Sequence, residues 1–259
     1  GGIDSLDSDY ASAFNYKIQA LFFKLCYWVA DSCIIVSQSD LKNIFKVSSL
    51  KKKLSYSEHV INTKLFIADV PKEKIFTSIV WMGDEGNVVR KGVDKALQIF
   101  AELKKIPEFV DYRFVIIGRK GEGEVLVRSI IDKYNLKGSV ELKGEVSEED
   151  KINLLKQSKY YFQLSLYEGF GLAALEALCA NNIIIHSGKG GLANPIYKEQ
   201  LLFDIDNDFD SELLKLVNKL ACFTPITSYD NLLEYYDIQR RKDDFEAIIV
   251  NGKSNYKLK

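Results

Sequence analysis

YYFQLSLYEGFGLAALEALCA, residues 160–180, changes character twice. Tyr160 to Leu166 is an apolar and aromatic run and reads as a buried strand. Leu172 to Ala180 is small and aliphatic and reads as a helix. Gly169 and Gly171 stand at the junction, where glycine permits close backbone approach and unusual dihedrals. A helix opening directly after a strand presents free N–H groups and a partial positive charge, which suits an anion such as a phosphate. Two carboxylates, Glu168 and Glu176, flank the junction with seven residues between them. A carboxylate repels a diphosphate, so neither fits a phosphate contact. Both fit as acceptors for sugar or ribose hydroxyls. The stretch reads as a phosphate cradle between two hydroxyl-binding acids, which suits a sugar nucleotide. Acids at a helix start are also favourable in any protein, so this stretch alone leaves a plain surface role open.

Upstream, strands and helices alternate. Ile75 to Gly83 predicts a strand. Lys91 to Lys105 predicts a helix with Val93, Ala96, Leu97, Phe100 and Leu103 on one face. Phe114 to Gly118 is apolar throughout, as a strand covered on both faces must be. Val127, Ile130, Ile131 and Tyr134 follow at helical spacing. Val140 to Gly144 and Asn182 to His186 add strands, and Ser147 with Glu149 and Asp150 opens another helix. This alternation implies an α/β fold, a Rossmann-like doubly wound parallel sheet. Ligands of such sheets bind beyond the carboxyl ends of the strands. Gly83, Gly118, Gly144 and the loop at Glu168 should share that edge. Lys91, at a predicted helix start, can meet a diphosphate as a point charge or stand as a solvated first-turn lysine.

The flanks are less regular. Asp9 to Ala30 predicts a helix with Leu21, Leu25 and Trp28 on one face, and Cys33 to Ser37 a buried strand. Ser39 and Asp40 look like the cap of a short helix to Phe45. Lys51 to Lys53 is a basic run best read as a solvated turn. Leu54 to Ile61 predicts a strand, and a linker follows to about Lys74. Asp208 to Leu220 and Tyr229 to Val250 predict helices, and Asn251 to Lys259 a frayed tail. The chain has 259 residues and a net charge of −1, so no basic field argues for nucleic acid. Cys26, Cys33, Cys179 and Cys222 show no metal-like spacing. Lys24 and Asp31 interrupt the apolar stretch from Leu21 to Val36, which makes it a poor spanning helix. The chain opens at Gly1 without a methionine, so a trimmed fragment is expected.

EGFGLAALEA, preceded in order by RKGVDKAL, RFVIIGRKGEGE and VELKGEVSEED, resembles the Glu-x7-Glu pattern of retaining glycosyltransferases of GT-B fold, family 4 (group 1), over roughly Ile75 to Asp206. The resemblance implies a C-terminal donor-binding Rossmann domain over 67–228. Residues 1–66 would be a truncated remnant of the N-terminal acceptor lobe, with apolar surface left uncovered. Residues 229–259 would be helices packing back on the interdomain side. It implies that Glu168 faces the transferred sugar and Lys91 meets the donor phosphate, the two catalytic positions, with Arg90 a second cation. Glu176 would hold ribose hydroxyls. Gly83, Gly118, Arg119, Val146, Gly169, Phe170, Gly171 and Leu172 would complete the donor site, with the backbone near Gly118 and Val146 beside the nucleobase. Two positions depart from the family: Asp84 stands where an arginine is usual, and Asn194 where an acid is common. His59 matches no family motif. His186 and the glycines Gly188, Gly190 and Gly191 read as structural.

The implied function is transfer from a UDP- or GDP-linked sugar to a glycan or glycolipid acceptor in cell-surface polysaccharide or glycolipid assembly. No cofactor or metal is expected, because fixed cations can take a divalent ion's place. A cytoplasmic location is implied, with peripheral attachment to the inner membrane face through the absent part of the N-terminal lobe. The isolated chain should be weakly active. The alternative is a non-catalytic nucleotide-sugar-binding module that works with a partner chain.

Overall fold

The structure, a computed structural model, describes residues 21, 22, 25, 26, 28–36, 54–67, 70–223 and 229–251. The Ser39–Asp40 cap, the Lys51–Lys53 run, the first part of the Asp9–Ala30 helix and the tail after Asn251 lie outside them. The chain divides into two compact units, one drawn from residues 1–60 and 237–259 and the other spanning 61–236.

In the smaller unit, β1 (Cys33–Ile35) pairs in parallel with β2 (Leu54–Tyr56). Both are shorter than the sequence predicts. Leu21, Leu25 and Trp28 are helical but exposed, Trp28 at 79%. Polar contacts of side chains just beyond β2 bind the C-terminal helix of this unit. The Ser57 hydroxyl donates to Asp244 Oδ2 at 2.9 Å, and Arg241 Nη1 donates to the Glu58 carbonyl at 3.1 Å. Arg241 also donates to His59 Nδ1 at 2.9 Å, so His59 has a structural partner, and burial with this neighbouring charge lowers its pKa.

The larger unit holds a six-stranded sheet: β3 (Glu73–Ile79), β4 (Arg113–Ile117), β5 (Val140–Gly144), β6 (Ser158–Gln163), β7 (Ile183–His186) and β8 (Leu201–Leu202). All pairs are parallel, in the order β5-β4-β3-β6-β7-β8. The helices are α1 (Glu85–Arg90), α2 (Val93–Leu103), α3 (Glu124–Lys133), α4 (Glu148–Gln157), α5 (Leu172–Cys179), α6 (Phe209–Cys222) and α7 (Tyr229–Tyr235), with α8 (Ile238–Asn251) in the smaller unit. The two-stranded and six-stranded sheets are separate.

The core sits where β3 meets its neighbours. Phe76 of β3 stacks on Tyr160 and Phe162 of β6, with ring centroids 4.6 and 5.1 Å apart, and meets Phe100 of α2 edge-on at 5.5 Å. Such pairs add about 0.5–1.5 kcal/mol each beyond their area. On the opposite face, α5 buries Ala174, Leu175, Ala177, Leu178 and Cys179 against Tyr161 and Ile184. Its small residues let the helix lie close to the sheet.

Two stretches hold one helix more than the sequence predicts. The helix expected from Lys91 is preceded by a separate short one, α1, and the two are divided by Lys91 and Gly92. Asp84 makes α1 possible: its carboxylate accepts the Asn87 N–H at 2.6 Å, an N-cap. The helix expected over Tyr229 to Val250 stops after Tyr235. Asp237 caps the next one, its Oδ1 accepting the Gln239 N–H at 3.0 Å. This break falls where the two compact units divide, between 236 and 237. Leu233 and Tyr236 are buried with Phe66, and the Ile61 N–H donates to the Tyr236 carbonyl at 3.0 Å, so α7 belongs with the sheet.

Gly92 has φ +69°, and a Cβ there would lie 2.0 Å from the Leu164 carbonyl oxygen. The chain leaving β3 and the chain leaving β6 touch at this point, backbone against backbone. Gly92→Ala combines left-handed strain with a clash against main chain. It should destabilise the protein by about 3 kcal/mol, read from urea denaturation. A loss below about 1 kcal/mol would mean the two loops part easily.

Candidate active site

The chain runs outward from β3 through β4 to β5, then returns to the other side of β3 with β6. The order therefore reverses between β3 and β6, and a crevice opens there beyond their carboxyl ends. The loop after β3 leads to Lys91. The loop after β6 carries Leu164 to Gly171. The Leu166 N–H donates to the Arg90 carbonyl at 2.8 Å, beside the Gly92–Leu164 contact.

Lys91 and Glu168 meet across this seam, Nζ to Oε2 at 2.7 Å, with both side chains mostly buried. The same oxygen accepts from Gln163 Nε2 at 3.1 Å and from the Ser165 hydroxyl at 3.2 Å. Oε1 makes no hydrogen bond among the described residues. Gln163 Nε2 also donates to Ser165 Oγ at 2.9 Å, and its Oε1 accepts the Tyr161 hydroxyl at 3.2 Å. Tyr161 is buried completely, which pushes its phenol well above the usual range. The carboxylate is thus held in place through one of its two oxygens.

The glycines after β7 exist for this loop. A Cβ on Gly190, at φ +57°, would lie 2.2 Å from the Glu168 carbonyl oxygen, and one on Gly191 would lie 2.5 Å from the Phe170 Cα. The Gly191 N–H donates to the Glu168 carbonyl at 2.6 Å. Phe170 is buried, Gly171 takes φ +87° at the N-cap of α5, and Leu172 is exposed at the first turn. No side chain caps α5, so its first-turn N–H groups are left without a side-chain acceptor at the cap.

Glu176, inside α5, belongs to a different cluster. Lys151 of α4 reaches its Oε1 at 3.0 Å and Glu148 at 2.6 Å. Burial raises the Glu176 pKa, and Lys151 opposes that rise. Burial alone would lower Lys151, but its two carboxylate partners outweigh that and leave it raised.

The other sequence-predicted positions spread along the same sheet edge. Gly83 follows β3 under the Trp81 ring, which a Cβ would approach to 2.8 Å. Arg90 is turned to Asn87, donating to Oδ1 at 2.5 Å. Gly118 ends β4 and donates to the Gly144 carbonyl at 2.8 Å. Arg119 is exposed beside it, and Val146 is half-buried beyond β5. Asn194 caps a short turn of helix through the Ile196 N–H at 3.1 Å.

Sequence reading missed Gln163, Ser165 and Lys151. A lone amide inside an apolar strand run was the available signal for Gln163. It also passed over the overlapping Asp-x-Asp spacings that run from Asp204 to Asp210; another, Asp7–Asp9, is outside the described residues. Asp208 is the N-cap of α6, and Lys189 pairs with Asp206 and, at 3.9 Å, with Asp204. Among the described residues, no three His, Cys, Asp or Glu side chains gather as a metal site.

The six-stranded parallel sheet with its flanking helices is the fold of GT-B glycosyltransferases. The chain belongs to the glycosyl transferases group 1 family, whose model matches residues 86–221. It is 32% identical over 163 residues to the GDP-mannose:cellobiosyl-diphosphopolyprenol alpha-mannosyltransferase of Xanthomonas oryzae, covering 55% of this chain and 40% of that protein. It is 27% identical over 129 residues to the phosphatidylinositol N-acetylglucosaminyltransferase GPI3 subunit of Saccharomyces cerevisiae, covering 50% of this chain and 28% of that one. The chain thus spans less than half the length of these relatives. Among solved structures, the fold is shared with Anabaena HepE in complex with UDP-glucose, at TM-score 0.74 and 14% identity over 95% of this chain and 70% of that one. It is also shared with sucrose-phosphate synthase from Thermosynechococcus elongatus, at TM-score 0.73 and 19% identity over 96% and 67%. Among the described residues, no helix is long and apolar enough to cross a membrane.

His186 ends β7 beneath these glycines. The Gly188 N–H donates to its Nδ1 at 3.2 Å, so the ring proton sits on Nε2 and is donated to the Tyr197 carbonyl at 3.1 Å. Burial lowers its pKa to about 4 from 6.5. The unfolded chain then binds the extra proton first as pH falls, so stability drops below about pH 6.5. The loss between pH 7.5 and 5 should be about 2 kcal/mol. His186→Gln should lack that component when both proteins are unfolded in urea at the two pH values. Equal pH dependence in both would place His186 in solvent.

Proposed function

We propose that this chain carries the donor-binding half of a retaining glycosyltransferase that takes a UDP- or GDP-linked sugar. The observation that supports the reading most directly is the Glu168 carboxylate, buried against Lys91 at the switch point with one oxygen left open. Glu168 faces the sugar through Oε1. Lys91 turns to the diphosphate, where the N–H groups of α5 add to it. As the sugar leaves, charge grows on the diphosphate, and fixed donors aimed at that charge lower the barrier. Glu176 accepts from the ribose hydroxyls, with Lys151 opposing the rise in pKa that burial brings. The acceptor is a glycan or glycolipid of the cell surface. Its binding needs groups beyond this chain, so the isolated chain transfers slowly, because orientation of the second reactant supplies much of the rate.

Asp84 favours a second reading, a nucleotide-sugar-binding module without transfer of its own. Where the family has an arginine, this chain spends an acid on capping α1. Release of labelled sugar from the donor by the purified chain separates the two.

The two glutamates should fail differently. Losing a charged acceptor costs about 1.5–3 kcal/mol, roughly 10- to 100-fold in affinity. Glu176→Ala should weaken UDP or GDP and its sugar conjugates alike. Glu168→Ala should leave the free nucleotide nearly unaffected and weaken only the conjugates. Calorimetric titration with UDP, GDP, UDP-glucose, UDP-N-acetylglucosamine and GDP-mannose reads both. Small, equal effects would make the pair ordinary surface acids and end the donor-site reading.

A further inference from the structure

We infer that Gln163 is a positioning residue for Glu168, the link that ties the reactive carboxylate to the backbone of the central strand. It rests on the donor-site reading above for its functional consequence, and on geometry alone for the tie itself.

The chain of contacts can be followed atom by atom. The Ile79 N–H, at the carboxyl end of β3, donates to the Tyr161 hydroxyl oxygen at 3.3 Å. That hydroxyl donates to Gln163 Oε1 at 3.2 Å. The Gln163 amide then donates through Nε2 to Ser165 Oγ at 2.9 Å and to Glu168 Oε2 at 3.1 Å. The Ser165 hydroxyl adds a donor to the same oxygen at 3.2 Å.

Each link has one available direction. The Glu168 carboxylate only accepts, so the Gln163 amide nitrogen must donate to it and the amide oxygen is left to accept the Tyr161 hydroxyl. Gln163 must therefore present oxygen to Tyr161 and nitrogen to Glu168. A flipped amide would set carbonyl oxygen against carboxylate and nitrogen against a donor. The side chain is 5% exposed, so water does not supply a substitute partner cheaply. Ser165 is pinned separately, its carbonyl accepting the Ser187 hydroxyl at 2.6 Å.

Three donors on Oε2 leave Oε1 as the acceptor for a substrate hydroxyl. Lys91 alone would not do this. A lysine ammonium is a flexible point charge on a four-carbon stem, and in the donor complex it answers to the diphosphate as well. Gln163 and Ser165 hold the carboxylate while Lys91 changes partner.

Two variants and a ligand-free readout test the tie. In Gln163→Leu, a sugar nucleotide that binds the native chain (from UDP-glucose, UDP-N-acetylglucosamine and GDP-mannose) should bind about tenfold more weakly, with UDP and GDP unchanged. In Gln163→Glu, a second carboxylate sits beside the first, and two such neighbours do not both ionise readily. The acid limb of the pH profile for sugar-nucleotide binding should then move to higher pH, a change that loosened packing alone does not produce. Equal weakening of nucleotide and conjugate in Gln163→Leu, or an unmoved pH profile in Gln163→Glu, overturns the role. Without any ligand, the Gln163 side-chain amide protons, identified by their loss in Gln163→Leu, should exchange with water at least tenfold faster in Glu168→Ala than in the native chain. Unchanged exchange overturns the tie whatever the chain binds. If none of the nucleotides or conjugates binds, the donor reading fails, and the exchange result still decides the tie.

Discussion

Two stretches of main chain meet at the switch point with no room for a side chain between them. Gly92 lies against the Leu164 carbonyl, and two residues either way the Leu166 N–H closes on the Arg90 carbonyl. The remainder of the site depends on this seam. It sets Lys91 and Glu168, 77 positions apart in sequence, at ion-pair distance. It does so through backbone, whose geometry varies far less than that of a long side chain. The glycines after β7 repeat the device on the other side, where Gly190 and Gly191 press on Glu168 and Phe170.

A carboxylate held this way is costly. Taking a charge out of water is unfavourable unless it is paired and hydrogen-bonded. Glu168 meets the condition with three donors on one oxygen. Glu176 meets it less fully, through Lys151, and burial still raises its pKa. The two acids of one motif are therefore in different electrostatic settings, although they stand on the same short segment. Their spacing along the chain does not reveal this, because the partners come from α2's approach loop in one case and from α4 in the other.

The alternation of strands and helices was legible because a parallel sheet covered on both faces needs long apolar runs, and Phe114 to Ile117 and Ile183 to Ile185 are such runs. β5 and the start of α5 fall where the sequence places them. The failures have local causes. The α1 helix was missed because its cap, Asp84, was weighed only as a lost phosphate partner. The break before α8 was missed because Asp237 sits inside an otherwise helical pattern. The strand β8 has two residues and depends wholly on pairing with β7. In the site, Glu168, Lys91 and the glycines could be picked out by type and order. Gln163 and Lys151 could not, since a buried amide in a strand and a lysine on a helix acquire meaning only when β6, the loop after it and α4 are assembled.

The strand order has a consequence for how the chain folds as it emerges from the ribosome. β3, β4 and β5 come first and can pair side by side, with α2 and α3 beside them. Until β6 is made, however, one long edge of β3 has no partner, and β3 lies inside the finished sheet, paired on both sides. An open, apolar parallel edge is a template for the wrong chain, and parallel pairing over long separations is slow. The 78 residues from the end of β3 at Ile79 to the start of β6 at Ser158 are the interval of exposure. The crevice opens at the carboxyl end of this same β3–β6 junction. The location that gives the finished protein its site is thus also where the half-made chain is most open to misassociation.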